Sequence, residues 1–365
     1  MKNYRYFIAT LMLAIAGAFQ ASAQVTETPY SRLGYGTLGD NATGIQRHMG
    51  GVGYAMQGGR AVNSKNPASY AATDSLTFIW DVGVDVSQVW SKEGDTKGNA
   101  FSGGLDYLSG VFRIAKNVGG SFGFIPYSSV SYSFNSDLAN GSESRSGNGS
   151  ISELYLGGAW SPVKGLSVGA NFSYMFGTLE HSTAIVGTST SVFYRMMEVR
   201  DWNVHIGAQY AIDINRKNRV VLGATYTPKK TFRGNTIGTF YHAANDTTID
   251  TAFQCNMTGN YDQPNTYGVA MRDNHVTKLF AEVDFTYQDW GKAKYTPLER
   301  FESSSMKFDN RWKVAAGLQY TPNSRGSYLK RVTYRMGGHY NHDYMNLRGN
   351  NVRHHGASFG LTLPE

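Results

Sequence analysis

The segment Leu76 to Trp90, LTFIWDVGVDVSQVW, places Leu76, Phe78, Trp80, Val82, Val84 and Val86 on its even positions. Thr77, Ile79, Asp81, Gly83, Asp85 and Ser87 stand between them. Side chains alternate faces along a β-strand, so one side is continuously apolar and the other carries carboxylates. A soluble strand runs about 5 to 6 residues, whereas a tilted strand that crosses a bilayer takes about 9 to 11. Length, alternation and the aromatic ends at Trp80 and Trp90 predict a strand facing lipid on one side.

The pattern recurs down the chain. Leu166, Val168, Ala170, Phe172 and Tyr174 alternate with polar or small residues, as do Trp202, Val204, Ile206, Ala208 and Tyr210, and Trp312, Val314, Ala316, Leu318 and Tyr320. Further strands are predicted at Ala100 to Ala115, Ser121 to Phe134, Ser150 to Trp160, Leu166 to Glu180, Ser191 to Ile214, Arg219 to Phe232, Asn265 to Arg272, His275 to Trp290, Lys307 to Tyr320, Arg331 to Tyr344 and Val352 to Leu363. Their connections alternate too. Lys116 to Gly120, Ser161 to Gly165, Asn215 to Asn218, Asp273-Asn274 and Thr321 to Gly326 are short or compact. Ser91 to Asn99, Asn135 to Gly149, His181 to Thr190, Gly234 to Pro264 and Gly291 to Met306 are mostly longer and polar. Short turns on one side and long loops on the other is the layout of an outer-membrane barrel. The predicted fold class is all-β, a transmembrane antiparallel β-barrel with twelve strands legible.

Composition agrees, with 42 Gly, 24 Tyr and 19 Phe against 9 Pro. The formal charge of +7 is spread along the chain rather than clustered with aromatics, which argues against a nucleic-acid footprint. Basic loops facing outer-membrane lipid and lipopolysaccharide fit better. Cys255 is the single cysteine, so neither an internal disulfide nor a lipid anchor at the mature terminus is expected.

Residues 1–23 read as a signal peptide: Lys2 and Arg5, an apolar run from Phe7 to Phe19, then Ala21-Ser22-Ala23. Cleavage near Ala23 implies export to the periplasm, the cell exterior or an outer-membrane barrel, and the strand pattern makes the outer membrane of a Gram-negative cell the expected location. Residues 24–75 lose the alternation and crowd nine glycines between Gly34 and Gly59, ahead of Asn66-Pro67-Ala68. So much glycine means tight turns and close backbone approach. That suits a periplasmic lead or a compact insert within a barrel, and we take it as the insert, a plug. Residues 76–365 form the barrel.

The glycine-rich insert with Asn66-Pro67-Ala68, the strand opening at Asp74-Ser75-Leu76-Thr77-Phe78, and the proline-broken strand at Gly123-Phe124-Ile125-Pro126 resemble the FadL/TodX-type outer-membrane transporters for long-chain fatty acids and other hydrophobic compounds, especially the versions found in Bacteroidetes. The resemblance runs from Pro29 to the end. It implies a barrel plugged by an amino-terminal hatch bearing the Asn-Pro-Ala motif, a hydrophobic, fatty-acid-like ligand taken from outside, and sideways release into the membrane. It also implies fourteen strands.

Proline cannot donate to a ladder, so Pro126 predicts a break in the wall, which reads as a bulge adjusting curvature or, with Gly123, as a lateral opening. The polar stripes hold Asp81, Asp85, Glu282, Asp284, Arg311, Lys313 and Arg335. These are expected to pair with one another and with the plug, because a partly filled lumen cannot leave charges unpaired cheaply; a water-filled path for polar solutes is the alternative. Gly34 to Gly39 matches G-x-G-x-x-G but has Pro29 ahead of it and Asp40-Asn41 behind, rather than a strand and a helix. Gly165 to Gly169 matches G-x-S-x-G, yet Ser167 lies on an alternating strand. His339 and His342 point to opposite faces of a strand. No enzyme, metal or cofactor is therefore expected.

The function expected is passive transport of hydrophobic molecules by a monomer, with a docking or shuttle role for secreted partners at the cell surface as the alternative. Counting from a periplasmic start leaves the twelfth strand running towards a periplasmic turn at Pro364-Glu365. The chain is thus expected to lack its last two strands, leaving unpaired edges or imperfect closure.

Overall fold

The computed structural model describes residues 28–364 apart from positions 58, 60, 76, 94–95, 216, 245–246, 276–277, 299–300, 302–306, 324–325 and 348. The expected signal peptide and Leu76 lie outside the described residues. Fourteen long strands are labelled in chain order: β1 Phe78–Glu93, β2 Thr96–Ala115, β3 Val118–Leu138, β4 Gly141–Val163, β5 Leu166–Val186, β6 Thr190–Asp213, β7 Asn218–Thr227, β8 Gly234–Ala244, β9 Thr247–Asn256, β10 Thr266–His275, β11 Leu279–Gln288, β12 Arg311–Tyr320, β13 Thr333–Leu347 and β14 Asn350–Thr362. Twelve follow one another in a single antiparallel curled sheet, from β1 to β7 and on through β10 to β14. The hairpin β8–β9 is a branch. It pairs with the far half of β6, from Thr190 to Val199, while β7 takes the near half, from Ile206 to Asp213. Among the described residues no ladder joins β1 to β14.

The alternation maps onto the two faces. Trp80, Val82, Val84, Val86 and Trp90 point outward, as do Leu222, Val269, Met271, Val283, Leu318, Met336 and Phe359 on other strands. So much exposed apolar surface belongs to a wall in hydrocarbon, where every ladder group must be paired by a neighbouring strand. Trp80 and Trp90 lie ten residues apart, about 33 Å along a strand. At a tilt of about 45° this spans roughly the 25 Å apolar band of such barrels.

The predicted strand positions are correct in the wall and too short beyond it. Four of the expected polar connections are largely strand. β4 and β6 reach 23 and 24 residues, roughly 75 Å of chain, of which about 11 suffice to cross the membrane. Asn135 to Gly149 reduces to a turn between Leu138 and Gly141, and His181 to Thr190 to one between Val186 and Thr190. Most of Ser91 to Asn99 belongs to β1 and β2, and Gly234 to Pro264 contains β8 and β9. Past the bilayer both faces meet water or protein, so the apolar and polar stripes that mark a strand disappear from the sequence. In the opposite direction, Arg219 to Phe232 is not one strand, since β7 ends at Thr227.

Candidate functional site

The described residues between 28 and 75 lie inside the curled sheet, and the wall is shaped to receive them. Thr43 and Gln46 form a capping box around the short helix Gly44–Arg47, with the Thr43 N–H donating to Gln46 Oε1 at 2.7 Å. Gly50 and Gly51 then turn the chain at φ of 75° and 86°, a conformation that costs glycine little. The Gly51 N–H donates back to Gln46 O at 2.8 Å. This turn brings Met49 against the wall.

Asn66 caps the 3₁₀ helix Pro67–Ala72, its side chain accepting from the Ala68 N–H at 3.1 Å and donating to Tyr54 O at 2.6 Å and to Ala208 O of β6 at 3.2 Å. Asn66-Pro67-Ala68 thus joins two parts of the insert to the wall. Opposite it stand Gly169 and Gly207, register partners on β5 and β6; a Cβ on the first would meet the Pro67 carbonyl and on the second the Asn66 side chain. The same holds around the barrel. Gly119 faces Tyr70, Gly223 faces Tyr54, and the paired Gly317 and Gly337 face Met49. A girdle of inward glycines lets the insert's backbone touch the wall.

Charges fasten it. Glu282 Oε1 accepts from the Ala55 N–H at 2.9 Å, and Asp284 Oδ2 accepts from the Gly53 and Tyr54 N–H groups at 2.8 and 3.2 Å. Arg272 pairs with Glu282 at 3.3 Å. From the insert, Lys65 lies between Asp40 at 3.8 Å and Asp284 at 3.9 Å, donates to Gly51 O, and sits 4.6 Å over the Tyr54 ring. Lys313 of β12 reaches Asp40 at 2.6 Å. Burial by itself would raise the Asp40 carboxyl, but Lys313 and Lys65 overcome it and hold the group well below the usual carboxylate range. Burial would lower the Lys65 ammonium, but Asp40, Tyr54 and Asp284 together hold it above its ordinary value.

Of the charged residues singled out in the sequence, Glu282, Asp284 and Lys313 meet in this network. The others do not. Asp81 accepts from Tyr107 Oη at 2.9 Å, Asp85 is half-buried further along β1, and Arg335 donates to Gln319 at 2.8 Å and to Thr362. Arg311 donates to Gln288 Oε1 at 3.1 Å. Asp81 is therefore met by a local hydrogen bond from Tyr107, and no ion pair within 4 Å joins Asp81 or Asp85 to the basic residues across the barrel among the described residues. Sequence reasoning missed Asp40, Lys65, Arg272 and the glycine girdle. The girdle has a readable trace, because Gly169, Gly207, Gly223, Gly317 and Gly337 all occupy inward positions of alternating strands.

An aromatic layer lies over the insert on the side away from the short turns. Trp290 and Tyr344 stack at 4.4 Å between ring centroids, Tyr35 meets Phe232 at 5.2 Å and Trp290 at 5.6 Å, and Phe308 meets Tyr344 at 5.1 Å. Val130, Ile151, Met175, Leu179, Met197 and Val199 pack beneath these rings, all fully buried. Tyr344 Oη donates to Gly36 O at 2.6 Å, tying the layer to the insert. A cavity of about 90 Å³ remains beside the insert, lined among others by Asp40, Tyr54 and Lys65 and by the wall residues Tyr127, Glu153, Asn203, His205, Thr286 and Arg311.

The wall itself divides near Pro126. The β2–β3 ladder runs from Ala115–Val118 to Leu108–Phe124 and stops. Beyond it, among the described residues, β2 pairs with β1 alone, and β3 pairs with β4, with a register shift between Pro126 and Ser128. Gly123 sits one step before the end, opposite Ser109, with the Tyr155 ring against it. Where β2 departs, Thr37 and Leu38 pair with Ser129 and Ser128 of β3, and the Gly39 N–H donates to Tyr127 O at 2.7 Å. The strand Thr37–Leu38 belongs to the G-x-G-x-x-G match, so that match forms a wall contact and not the turn before a phosphate-binding helix. Ser167 pairs with Gln209 in a regular ladder, away from any strand-to-helix turn. His342 stacks on Trp312 at 5.7 Å, and His354 pairs with Asp343 at 3.0 Å.

Solved structures share this architecture. The CymD monoaromatic hydrocarbon channel is 14% identical over 90% of this chain and 89% of that one, with a TM-score of 0.56. The P. putida toluene transporter TodX is 13% identical over 83% of each chain, with a TM-score of 0.57. A Pseudomonas aeruginosa FadL homologue is 11% identical over 86% of this chain and 83% of its own, with a TM-score of 0.60. At these identities the likeness is one of fold. A sequence search of curated proteins finds no match. The family model of BamG, however, matches residues 4–365, and with nearly the whole chain inside that match the protein belongs to the BamG family.

Proposed function

We propose that this protein sits in the outer membrane as a plugged monomeric barrel, surrounded by lipid and lipopolysaccharide, and passes small hydrophobic, fatty-acid-like molecules down their gradient. The carrying observation is the end of the β2–β3 ladder at Leu108–Phe124, beside Pro126. In hydrocarbon an unpaired ladder group costs several kcal/mol, so a wall that parts there has a reason to part. The aromatic layer and the insert fill the axis, which favours a sideways route for an apolar ligand. The hydrocarbon channels of the same fold support the ligand class. Replacing Pro126 with valine returns a ladder donor and favours a regular wall. Uptake of radiolabelled oleate and toluene by cells is then expected to fall several-fold at equal levels of folded barrel, and unchanged uptake overturns the lateral route.

A second reading has its own observation. β3 to β6 and the hairpin β8–β9 extend beyond the apolar belt, with Phe193 against Phe240 at 4.8 Å and against Phe301 at 6.0 Å. Such a braced projection suits docking of secreted partners. Deleting Gly234 to Asn256 is expected to reduce surface delivery of those partners, scored by protease-accessible protein on intact cells, while apolar uptake stays unchanged. Loss of uptake with normal surface delivery would assign the projection to transport.

A further inference from the structure

The cavity beside the insert has a chemistry that neither an apolar passage nor the seating of the insert uses. Two of its wall residues are charged and buried without an opposite charge within 4 Å among the described residues. These are Glu153 of β4, 6% exposed, and Arg311 of β12, 7% exposed. Glu153 accepts hydrogen bonds from neutral side chains, Ser173 Oγ at 2.8 Å and the Asn203 amide. Lys230 acts on Glu153 only at longer range, its direct ion pair being with Asp201 at 2.9 Å. Arg311 spends one Nη on Gln288 and leaves its Nε buried without a hydrogen bond, and Asp40 in the same lining feels its charge only at longer range. The cavity's other charges are matched, since Asp40 is held by Lys313 and Lys65, and His205 is engaged at both nitrogens by Thr227 Oγ1 and Lys65 O at 2.7 and 2.8 Å. The Asp40 side chain is 32% exposed even so, and it lines this cavity, so the space admits solvent-sized groups.

A buried ionisable group without a direct ion pair is expensive, and two of opposite sign in one chamber call for a complement bearing both. We propose that the cavity binds a small zwitterion, its carboxylate on the Arg311 guanidinium and its ammonium on the Glu153 carboxylate, with the ring of Tyr127 in the lining beside them. A single water needs about 10 to 15 Å³ of such volume, so the 90 Å³ present holds roughly six waters or one amino acid of few carbons. The ligand class is polar, and the inference is independent of the hydrophobic passage proposed above.

The test is calorimetric titration of the full chain in detergent with glycine, β-alanine and γ-aminobutyrate, which vary the charge separation, and with acetate and methylammonium, which each carry one charge. At least one amino acid is expected to bind below about 10 mM, and the single-charge compounds at least about tenfold more weakly, the loss of one charge-assisted hydrogen bond. Arg311→Gln and Glu153→Gln should each weaken the best ligand at least about tenfold. Gln288 Oε1 accepts from both Arg311 and the Trp290 indole, the latter at 3.0 Å, so ligand should also alter tryptophan emission in the unaltered chain and not in Trp290→Phe. Heat-modifiable gel mobility identifies variants that have not folded, and Glu153→Gln, close to isosteric, keeps the test decisive if Arg311→Gln is among them. No binding by any amino acid, equal binding of acetate, or unchanged affinity in folded variants each overturns the proposal.

Discussion

Cells carrying valine at Gly337 should admit bulky antibiotics that cells with the unaltered protein exclude, and the purified variant should conduct nearly as well as a protein lacking residues 24–75. A side chain at this position meets Met49 C and Gly50 N, which are insert backbone and cannot rotate away. Gly317, its register partner, is already occupied by Met49 O on the same patch. Overpacking a well-filled interior costs about 1 to 3 kcal/mol when side chains can adjust, and here they cannot. The wall is held by its own ladders, so the insert yields first. Gly158→Val is the control, because a Cβ at Gly158 meets nothing within 4 Å. If the two variants conduct alike, the girdle is not the seat of the insert.

Lys65→Met should be the most destabilising single change in the charge network. The side chain is 3% exposed and lies between two carboxylates. Removing it takes the nearest cation from Asp284, which keeps its backbone donors, and leaves Asp40 chiefly with Lys313. Breaking a buried pair from one side costs about 3 to 5 kcal/mol, and the separations of 3.8 and 3.9 Å place the expectation near the lower end. The temperature at which the folded band is lost on gels should drop clearly, with conductance rising first as the insert detaches. The pH dependence has a definite sign. Asp40 is depressed in the folded state, so its contribution is present above its unfolded value of about 3.9 and fades as pH falls below it. Lys65 is raised, so its contribution is full below about 10.4 and is lost as pH rises from there through its higher folded value. Between these limits the unaltered protein should keep its full margin of stability, which should begin to shrink below about pH 4 and be lost only as pH falls through the depressed folded value of Asp40. A variant as heat-resistant and as closed as the unaltered chain would show that the network contributes nothing to seating.

Alternation along one strand is a local property, since the lipid face of β1 is set by Phe78, Trp80, Val82 and Val84 themselves and needs no partner to be read. For that reason the barrel class and the near positions of the wall strands were already present in the sequence. So were the departure from alternation before residue 76 and the proline that interrupts β3. What required the tertiary structure was everything decided by two distant segments meeting. A glycine in a strand reads as a weak strand residue until Met49 is found against Gly317 and Gly337. Lys65 reads as one more cation until Asp40 and Asp284 are found on either side of it. The far halves of β3 to β6 were invisible for a different reason: above the bilayer no difference in solvent separates the two faces, so the strands continue on hydrogen bonds between neighbours and leave no stripe in the sequence. The division of the wall lies between these cases. Pro126 marks where a ladder donor is missing, but that β2 leaves at Leu108, and that Thr37 and Leu38 take its place on β3, depends on how far each strand is carried by its neighbour.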